Sequence, residues 1–483
     1  MTATTHDESV AHDLALLGLP PRPWPATTTG PDGQPALDVL VVGAGMCGIA
    51  AAAALIFKGV RNIALLDAAP QGQEGPWVTT ARMATLRSPK HLPGIALGIP
   101  SLTFRAWYTA RRGEAEWQAL YKIANADWQH YLAWLQRVLA LPVRHGIAVT
   151  RIRPSGELFA VETSGGTLHA RHVVLATGRA GAGGLLVPDF VDPTLWPDRA
   201  AHTGEAIDFT RLAGRRVAVL GANASAFDAA AVALESGAAA VDMFCRRAEL
   251  PQVNKSRGAT NPGYFEGWSG LPPAERWRLM VYLHDERSPP PHESVHRVLK
   301  HPGFRLHRAS PVLAARPTAD GVALDLSSCA ATADFLVVAT GFTVDLARRP
   351  ELADLAAHIA LWRDACPPPP GLDRPELAAY PFLGDGFELT DREPGTCPAL
   401  SRVHLFNHAA YGSMGPIASD IPGVSAAAGL LSTAIVRALF RADRAALQAQ
   451  LEAFAESELE STPFFAPAAL PRRGCPGGAE RTG

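Results

Sequence analysis

Three glycines and one carboxylate near the start of the chain have the spacing of a dinucleotide-binding site. The strand-like run of residues 38–42 leads directly into Gly43, Gly45 and Gly48, which form the pattern G-x-G-x-x-G. The first glycine permits a tight turn, the second lets a pyrophosphate approach the backbone, and the third allows close packing of a helix on the strand. Asp67 ends the next apolar run, 19 residues after Gly48, where a carboxylate accepts hydrogen bonds from ribose hydroxyls. The pattern therefore predicts a nucleotide site built from a strand, a turn and a helix.

A weaker copy of this pattern lies near the middle of the chain. Gly221 keeps the first glycine, Asn223 replaces the second and Ala226 replaces the third. Alanine is compatible with the third position, whereas Asn223 adds a side chain where a phosphate would come closest. Ala224 and Ser225 complete the candidate phosphate-binding turn at the start of the next helix. A second dinucleotide site of altered design is predicted.

The strand after this second turn ends in two arginines instead of an acid. Arg246 and Arg247 follow the apolar run of residues 240–244. Guanidinium groups at this position suit the 2′-phosphate of NADP, which they bind in a bidentate manner. The alternative is that both arginines belong to a solvated strand end. The pattern favours NADPH over NADH.

Each glycine pattern is followed by an apolar strand that ends in Ala-Thr-Gly. The first copy ends at Thr177 and Gly178, and the second ends at Thr340 and Gly341. Small residues there let the backbone pass beside a cofactor without a clash. Two dinucleotide sites in one chain indicate a protein that transfers electrons between two bound cofactors.

The elements that must position these motifs define an α/β fold with two Rossmann-like dinucleotide-binding domains, the second inserted into the first. A helix is predicted over residues 46–58, and a long one from 421 to about 441, with Arg437 and Arg441 in its last turn. The predicted organisation is an N-terminal helix and linker (1–35), the FAD-binding domain (36–200), the NAD(P)-binding domain (201–333), the second part of the FAD-binding domain with the long helix (334–465), and a disordered tail (466–483).

Composition places the chain among ordinary globular proteins. It has 483 residues, of which 47% are hydrophobic and 19% charged, and this length exceeds what one core usually organises. A net charge of −2 gives no reason to expect a nucleic acid or an anionic membrane as a partner. No two of the six cysteines form C-x-x-C, which argues against a disulfide framework, a zinc site and a dithiol centre, and favours a cytoplasmic location.

The apolar run of residues 39–57 is long enough to be compared with a membrane span. Its three glycines at fingerprint spacing favour a buried strand, turn and helix instead. The first residues have neither the basic nor the apolar region of a signal peptide. We therefore expect a protein without a membrane segment.

Further motifs along residues 36–445 carry a family resemblance. They are Thr85-Leu-Arg-Ser-Pro-Lys90, the helix of residues 127–134, Pro251-Gln-Val-Asn254, Asn261-Pro-Gly-Tyr-Phe265, the second Ala-Thr-Gly signature of residues 334–342, and Leu405-Phe-Asn407-His408 with Gly412. The chain resembles the class B flavoprotein monooxygenases, which include the lysine and ornithine N-hydroxylating enzymes, the flavin-containing monooxygenases and the Baeyer–Villiger enzymes. It is most similar to the N-hydroxylating branch. The linker motif F-x-G-x-x-x-H of the other two branches reads Trp196-Pro-Asp-Arg-Ala-Ala-His202 here, without its glycine.

This resemblance implies FAD in the first domain and NADPH in the second. In such enzymes NADPH reduces FAD, and the reduced flavin reacts with O2 to give a C4a-(hydro)peroxide that oxygenates a nitrogen- or sulfur-containing small molecule. Further flavin contacts are implied at Met46, Cys47, Trp77, Arg82, Val149 and Asn407.

The same resemblance suggests residues that act directly. Asn254 matches the position between nicotinamide and substrate, although it could equally cap a loop. Arg82, Arg87 and Lys90 lie on the segment expected over the isoalloxazine, where they could stabilise negative charge on the flavin, or they could be surface charges. His404 and His408 are four residues apart, but a strand is expected there, so structural histidines are favoured over a metal pair.

Two other functions stay open. One is an NAD(P)H-dependent flavin reductase or oxidase without oxygen insertion, and the other is a nucleotide-binding protein without catalysis. For the monooxygenase, the expected partners are a small-molecule substrate and O2, and a homo-oligomer is possible. The residues do not identify the substrate.

Overall fold

The computed structural model describes residues 5–417, 420–456 and 458. The helices are α1 His6–Leu16, α2 Met46–Ile56, α3 Phe104–Arg112, α4 Glu114–Ala119, α5 Asn125–Val138, α6 Ala224–Glu235, α7 Lys255–Gly258, α8 Pro262–Gly267, α9 Pro273–Glu286, α10 His292–Leu299, α11 Trp362–Ala365, α12 Pro375–Ala378, α13 Tyr411–Met414 and α14 Val424–Ala453. The strands are β1 Leu37–Val42, β2 Ile63–Asp67, β3 Val143–His145, β4 Val149–Ser155, β5 Leu158–Thr163, β6 Gly166–Leu175, β7 Gly183–Leu185, β8 Ala200–His202, β9 Arg216–Leu220, β10 Ala240–Phe244, β11 Phe304–His307, β12 Val312–Pro317, β13 Val322–Leu326, β14 Ala330–Ala333, β15 Phe335–Val338, β16 Phe342–Val344 and β17 Val403–His404.

The first domain is built on a seven-stranded sheet of order β3-β2-β1-β6-β5-β4, with β17 beside β6. Strands β1, β2, β3, β6 and β17 are parallel, whereas β4, β5 and β6 form an antiparallel meander. Since β1 and β6 are parallel neighbours, the Gly43 turn and the first Ala-Thr-Gly meet at the same sheet edge. Ligands bind at such an edge in open α/β sheets.

The second domain repeats this design with a parallel sheet of order β11-β10-β9-β15-β8. Strand β15 pairs with both β9 and β8, which brings the second Ala-Thr-Gly beside the Gly221 turn. The predicted domain boundary at residue 334 is therefore too early, because Phe335–Val338 belongs to the second sheet. The two Rossmann-like units confirm the predicted fold class.

Helix α2 explains the apolar run of residues 39–57. Every residue from Met46 to Leu55 is buried, and the run of alanines lets the helix pack closely between the sheet and α14. Among the described residues, α14 is the one helix with the length and apolar composition of a membrane span. Its buried side chains, such as Leu431 and Ile435, belong to the core of the first domain.

Helix α14 is longer than predicted. It runs from Val424 to Ala453, because residues 442–453 are good helix formers and contain neither glycine nor proline. Arg437 and Arg441 thus lie inside the helix, and their predicted role in its last turn is wrong. The tail predicted to be disordered, 466–483, lies outside the described residues.

A buried ion pair network fastens α14 to the first sheet. Arg171 of β6 donates from Nη2 to Asp443 Oδ1 at 2.5 Å and from Nη1 to Asp38 Oδ1 at 3.1 Å. All three side chains are buried. Burial raises the pKa of Asp38 to about 6, although the charge of Arg171 opposes this shift.

Candidate active site

The first glycine turn has the shape that a pyrophosphate requires. Gly43 has φ +102°, and a Cβ there would lie 2.5 Å from the Ala176 carbonyl oxygen. At Gly48 a Cβ would lie 1.9 Å from the Gly43 carbonyl oxygen. In front of Gly45, by contrast, the nearest atoms are the Gly75 backbone at 3.8 Å. The open space before Gly45, at the N-terminus of α2, therefore fits a phosphate-bearing cofactor.

Asp67 holds the turn and faces the expected ribose position. Its Oδ2 accepts from the Ala44 N–H and its Oδ1 from the Ala69 N–H, both at 2.8 Å. Each oxygen keeps a second lone pair for a ribose hydroxyl. The Ile147 N–H donates to the Asp67 carbonyl at 2.9 Å, which brings Val149 to the same end of the sheet.

The remaining predicted flavin contacts surround the same sheet edge. Met46 and Cys47 form the buried first turn of α2. Trp77 is half-buried and packs edge-on against Trp128, with ring centroids 6.0 Å apart. The residues present thus fit FAD in shape and polarity.

A hydrogen bond joins the first Ala-Thr-Gly to the late segment of the same domain. The buried Asn407 donates from Nδ2 to Thr177 Oγ1 at 3.1 Å, and its Oδ1 accepts from the Ala409 N–H at 2.9 Å. Gly178 follows with φ +66°. Asn407 therefore fixes the backbone on both sides of the predicted cofactor.

The second glycine turn repeats the first in its backbone. Gly221 has φ +120°, and a Cβ there would lie 2.6 Å from the Ala339 carbonyl oxygen. Asn223 caps α6 in an extended conformation with φ −92°, is exposed, and makes no side-chain hydrogen bond to the helix. Ala224 and Ser225 open the helix, and Ala226 is buried against the sheet. Asn223 therefore leaves the turn intact and places an amide in front of it.

Arginines gather at the end of β10, as the sequence predicts. Arg246 is exposed and Arg247 half-buried, and neither forms an ion pair with an acid in the described part of the chain. Burial lowers the pKa of nearby Arg287, and the charges of Arg247 and Arg246 add to this effect. The guanidinium groups of Arg246 and Arg247 suit the 2′-phosphate of NADPH, whereas Arg287 also lies near the acids Glu376 and Asp285.

The second Ala-Thr-Gly turns the chain back towards the first domain. Thr340 Oγ1 donates to the Leu186 carbonyl, and Gly341 has φ +93°. Strand β16 then pairs with β7, a two-stranded link between the domains.

Two residues predicted to act on the flavin also have structural partners. Lys90 Nζ donates to the carbonyls of Trp117, Gln118 and Leu120 at 2.7, 3.2 and 2.6 Å, so its ammonium group binds the end of α4. The catalytic role of Lys90 stays a prediction.

Arg82 is similarly engaged. Its Nη1 donates to the Thr80 and Thr203 carbonyls at 2.9 and 2.5 Å, and its Nη2 to the Glu205 carbonyl at 2.6 Å. The guanidinium also lies over Phe209, 5.2 Å from the ring centroid. Arg82 thus binds the backbone at the start of the second domain, and its flavin contact stays a prediction.

Arg87 and Asn254 keep their predicted roles as predictions. Arg87 forms an ion pair at 2.9 Å with the buried Asp228 of α6, and its side chain stays 47% exposed. Asn254 is half-buried before α7, where Ser288 Oγ lies 3.5 Å from its Oδ1. Arg87 thus links the first domain to α6 of the second.

A group of polar side chains that the sequence did not single out lies around Arg179, and we call this region the cleft. Arg179 directly follows the first Ala-Thr-Gly, and its charge acts on Tyr380, His408 and Asp420. The His408 ring centroid lies 6.3 Å from those of Tyr380 and Tyr411. In the sequence, the position of Arg179 next to Gly178 was the one sign of this group, since its other residues lie in distant segments of the chain.

The two histidines of the late segment differ in role. His404 is buried, with Nδ1 2.8 Å from the Gly386 carbonyl oxygen and Nε2 3.1 Å from His172 Nδ1. Since a carbonyl only accepts, His404 carries its proton on Nδ1 and accepts from His172. Burial lowers the pKa of His404 to about 4. No cluster of metal-binding side chains occurs in residues 5–417 and 420–456.

Solved structures share this architecture. Ornithine hydroxylase from Pseudomonas aeruginosa aligns with a TM-score of 0.66 at 19% identity, over 84% of this chain and 100% of that chain. L-lysine 6-monooxygenase from Pseudomonas syringae aligns with 0.62 at 21% identity, over 84% and 99%. The flavin-containing monooxygenase of Stenotrophomonas maltophilia gives 0.54 at 20% identity, over 83% and 99%. With the two nucleotide sites, these likenesses define a two-domain flavoprotein fold.

Sequence relatives define the family. Residues 40–260 match the family described as pyridine nucleotide-disulphide oxidoreductase. The chain is 40% identical over 457 residues to the FAD-dependent urate hydroxylase of Xanthomonas campestris pv. campestris, covering 94% of this chain and 96% of that protein. The chain therefore belongs to the class B flavoprotein monooxygenases, and it is an oxidoreductase that uses FAD and NADPH.

Proposed function

We propose that this monooxygenase hydroxylates urate or a closely related planar purine. The observation that carries the proposal is the 40% identity to a urate hydroxylase, which extends over 94% of the chain and so includes both nucleotide domains and the cleft. The balanced reaction is urate with O2, NADPH and a proton, giving hydroxylated urate, NADP⁺ and water.

The residues of the chain bind and orient the reactants. FAD in the first site supplies hydride acceptance and oxygen activation. The Gly43 turn and the α2 N-terminus hold its phosphates, and Asp67 accepts from its ribose. Arg246 and Arg247 bind the extra phosphate of NADPH, which orients its nicotinamide towards the cleft.

The cleft offers groups that suit a planar heterocycle. Aromatic rings of Tyr380, His408 and Tyr411 provide faces for stacking. Arg179 provides N–H donors for carbonyl oxygens, and Asp420 provides an acceptor for ring N–H groups. Urate carries alternating carbonyl and N–H groups, so its edges complement these side chains.

The test is a comparison of substrates with the purified, FAD-loaded protein. NADPH oxidation, O2 consumption, substrate loss and hydrogen peroxide release are followed with urate, L-ornithine and L-lysine. We expect urate loss to match NADPH oxidation, with little peroxide, and no turnover of the amino acids. Formation of hydroxylated ornithine or lysine would show that the amino acid, and not urate, is the substrate. Hydrogen peroxide without any hydroxylated product would identify an NADPH oxidase.

A further inference from the structure

We propose that Arg179 is the residue that binds the anionic edge of the substrate, in a pocket whose aromatic walls are Tyr380, His408 and Tyr411. The identity of the anion rests on the proposed function, whereas the pocket rests on the structure alone.

The position of Arg179 in the chain supports this role. Arg179 comes directly after Gly178, where β6 has passed the flavin site, and Asn407 is bonded to Thr177 at 3.1 Å. His408 is the residue after Asn407 and begins the segment that leads to α13. Arg179 and His408 therefore project from two backbone points that one hydrogen bond holds together beside the cofactor.

The guanidinium group of Arg179 is available to a ligand. Arg179 is exposed, and within the described ranges its side chain forms no ion pair and no hydrogen bond. The other arginines of the region are committed: Arg82 binds carbonyls and Arg87 binds Asp228. A guanidinium beside a cofactor site, with its fork of donors unused, is suited to a planar anion that it can bind in a bidentate manner.

The aromatic walls of the pocket also support this role. The rings of His408 and Tyr411 are nearly parallel, at 30°, whereas Tyr380 meets His408 edge-on at 71°. Trp268 continues the wall behind Tyr411 at 6.3 Å. Flat faces around a guanidinium select a planar anion over a flexible amino acid.

The charges of the side chains around Arg179 are consistent with one bound anion. Burial, together with the nearby charge of Arg179, lowers the pKa of His408 to about 3, so this ring is neutral at physiological pH and is available for neutral hydrogen bonding. Asp420 is reachable by solvent but largely surrounded by protein, which raises its pKa, while Arg179 and Arg87 oppose that shift. The pocket thus offers Arg179 as a cation, Asp420 as an acid and neutral rings, with Arg287 and Glu376 also close to Tyr380.

The cofactors do not account for Arg179. The phosphates of FAD are matched by the Gly43 turn and those of NADPH by the Gly221 turn with Arg246 and Arg247. Arg179 belongs to neither set, and it directly follows the first Ala-Thr-Gly.

The experiment compares Arg179→Ala and Arg179→Lys with Arg61→Ala, an exposed arginine at the opposite end of the first sheet. Flavin content is measured first, then reduction of the FAD-loaded variants by NADPH without substrate. Dissociation constants follow from flavin absorbance changes with urate, with orotate as a second planar anion, and with caffeine as a neutral purine. The kcat and KM for urate complete the set.

We expect Arg179→Ala to weaken binding of urate and orotate by about 10- to 100-fold, the range for a lost charge-assisted hydrogen bond. Arg179→Lys should recover only part of this loss, since an ammonium has no planar fork. Flavin content, reduction by NADPH and caffeine binding should match Arg61→Ala and the wild type.

The outcomes separate this inference from the proposed function. Urate turnover with an unchanged KM in Arg179→Ala would overturn the role of Arg179 and leave the function standing. Binding of orotate that depends on Arg179, without urate turnover, would support the pocket and remove urate as the substrate. Failure of the wild type to bind either anion would overturn both. An Arg179→Ala protein that loses its FAD would overturn the role of Arg179 alone, because Arg179 would then serve the cofactor.

Discussion

The two nucleotide-binding turns share one backbone geometry and differ in the side chains placed on it. Gly43 and Gly221 have φ +102° and +120°, and a Cβ on either would lie 2.5 or 2.6 Å from a carbonyl oxygen of the neighbouring strand. The helix caps Gly45 and Asn223 are both extended. The comparison teaches that both turns require glycine at the first position, whereas the second position is glycine in one turn and asparagine in the other.

The ends of the second strands differ more strongly. Asp67 accepts two backbone N–H groups and keeps lone pairs for a ribose, whereas Arg246 and Arg247 occupy the corresponding place in the second domain. The carboxylate of the first domain is suited to ribose hydroxyls, whereas the arginines of the second are suited to an additional phosphate.

The largest expected effect comes from the shared glycine. Gly43→Ala adds a Cβ against the Ala176 carbonyl in a left-handed conformation, a combination that costs about 2–4 kcal/mol. We expect this variant to lose FAD and to be purified colourless or insoluble. The matched Gly221→Ala should stay yellow and be reduced poorly by NADPH, as measured by absorbance and stopped-flow reduction. Equal loss of FAD in both variants would contradict the prediction that the two nucleotide sites are independent.

The next effect concerns the ion pair network that only the first domain has. Asp443→Ala leaves the buried Arg171 with Asp38 as its remaining acid, and removing one partner of a buried pair costs about 3–5 kcal/mol. A clear fall in Tm of the FAD-bound protein is expected. The control Asp354→Ala removes an exposed partner of Arg151 and should leave the Tm unchanged. Equal Tm values would show that α14 does not depend on this network.

The arginines at the end of β10 are expected to affect one nucleotide only. Replacing Arg246 and Arg247 together by alanine should raise the KM for NADPH by about 10- to 100-fold, because charge-assisted hydrogen bonds are lost. The KM for NADH should stay unchanged, since NADH lacks the 2′-phosphate. Parallel steady-state assays with both nucleotides measure this, and an equal rise for both would assign the arginines to a general role.

Local geometry explains what the sequence could predict. A strand, a glycine turn and a helix are close in sequence, so the spacing of Gly43, Asp67 and Gly221 was enough to predict the turns that the structure shows. The bonds of Lys90 to the carbonyls of Trp117, Gln118 and Leu120 could not be predicted, because carbonyls leave no signature in a sequence. The effect of the Arg179 charge on Tyr380 could not be predicted either, because the two residues lie far apart in the chain.

The smallest effect is expected at Asn223, the residue that most distinguishes the two turns. Its φ of −92° suits any residue, and its side chain makes no hydrogen bond to the helix it caps, so Asn223→Gly should cost only a few tenths of a kcal/mol. The KM for NADPH should change by less than about 3-fold, since that free energy corresponds to a factor of this size.

The isosteric Asn223→Asp sharpens this test, because it places a carboxylate where the phosphate is expected without changing the shape of the turn. Its KM for NADPH should rise well above that of Asn223→Gly, while the Tm stays constant. An unchanged KM for NADPH in Asn223→Asp would mean that the phosphate binds elsewhere. The two turns would then share their backbone geometry and not their phosphate binding. If the KM rises as expected, the second turn binds phosphate as the first does, and its asparagine modifies that site without disabling it.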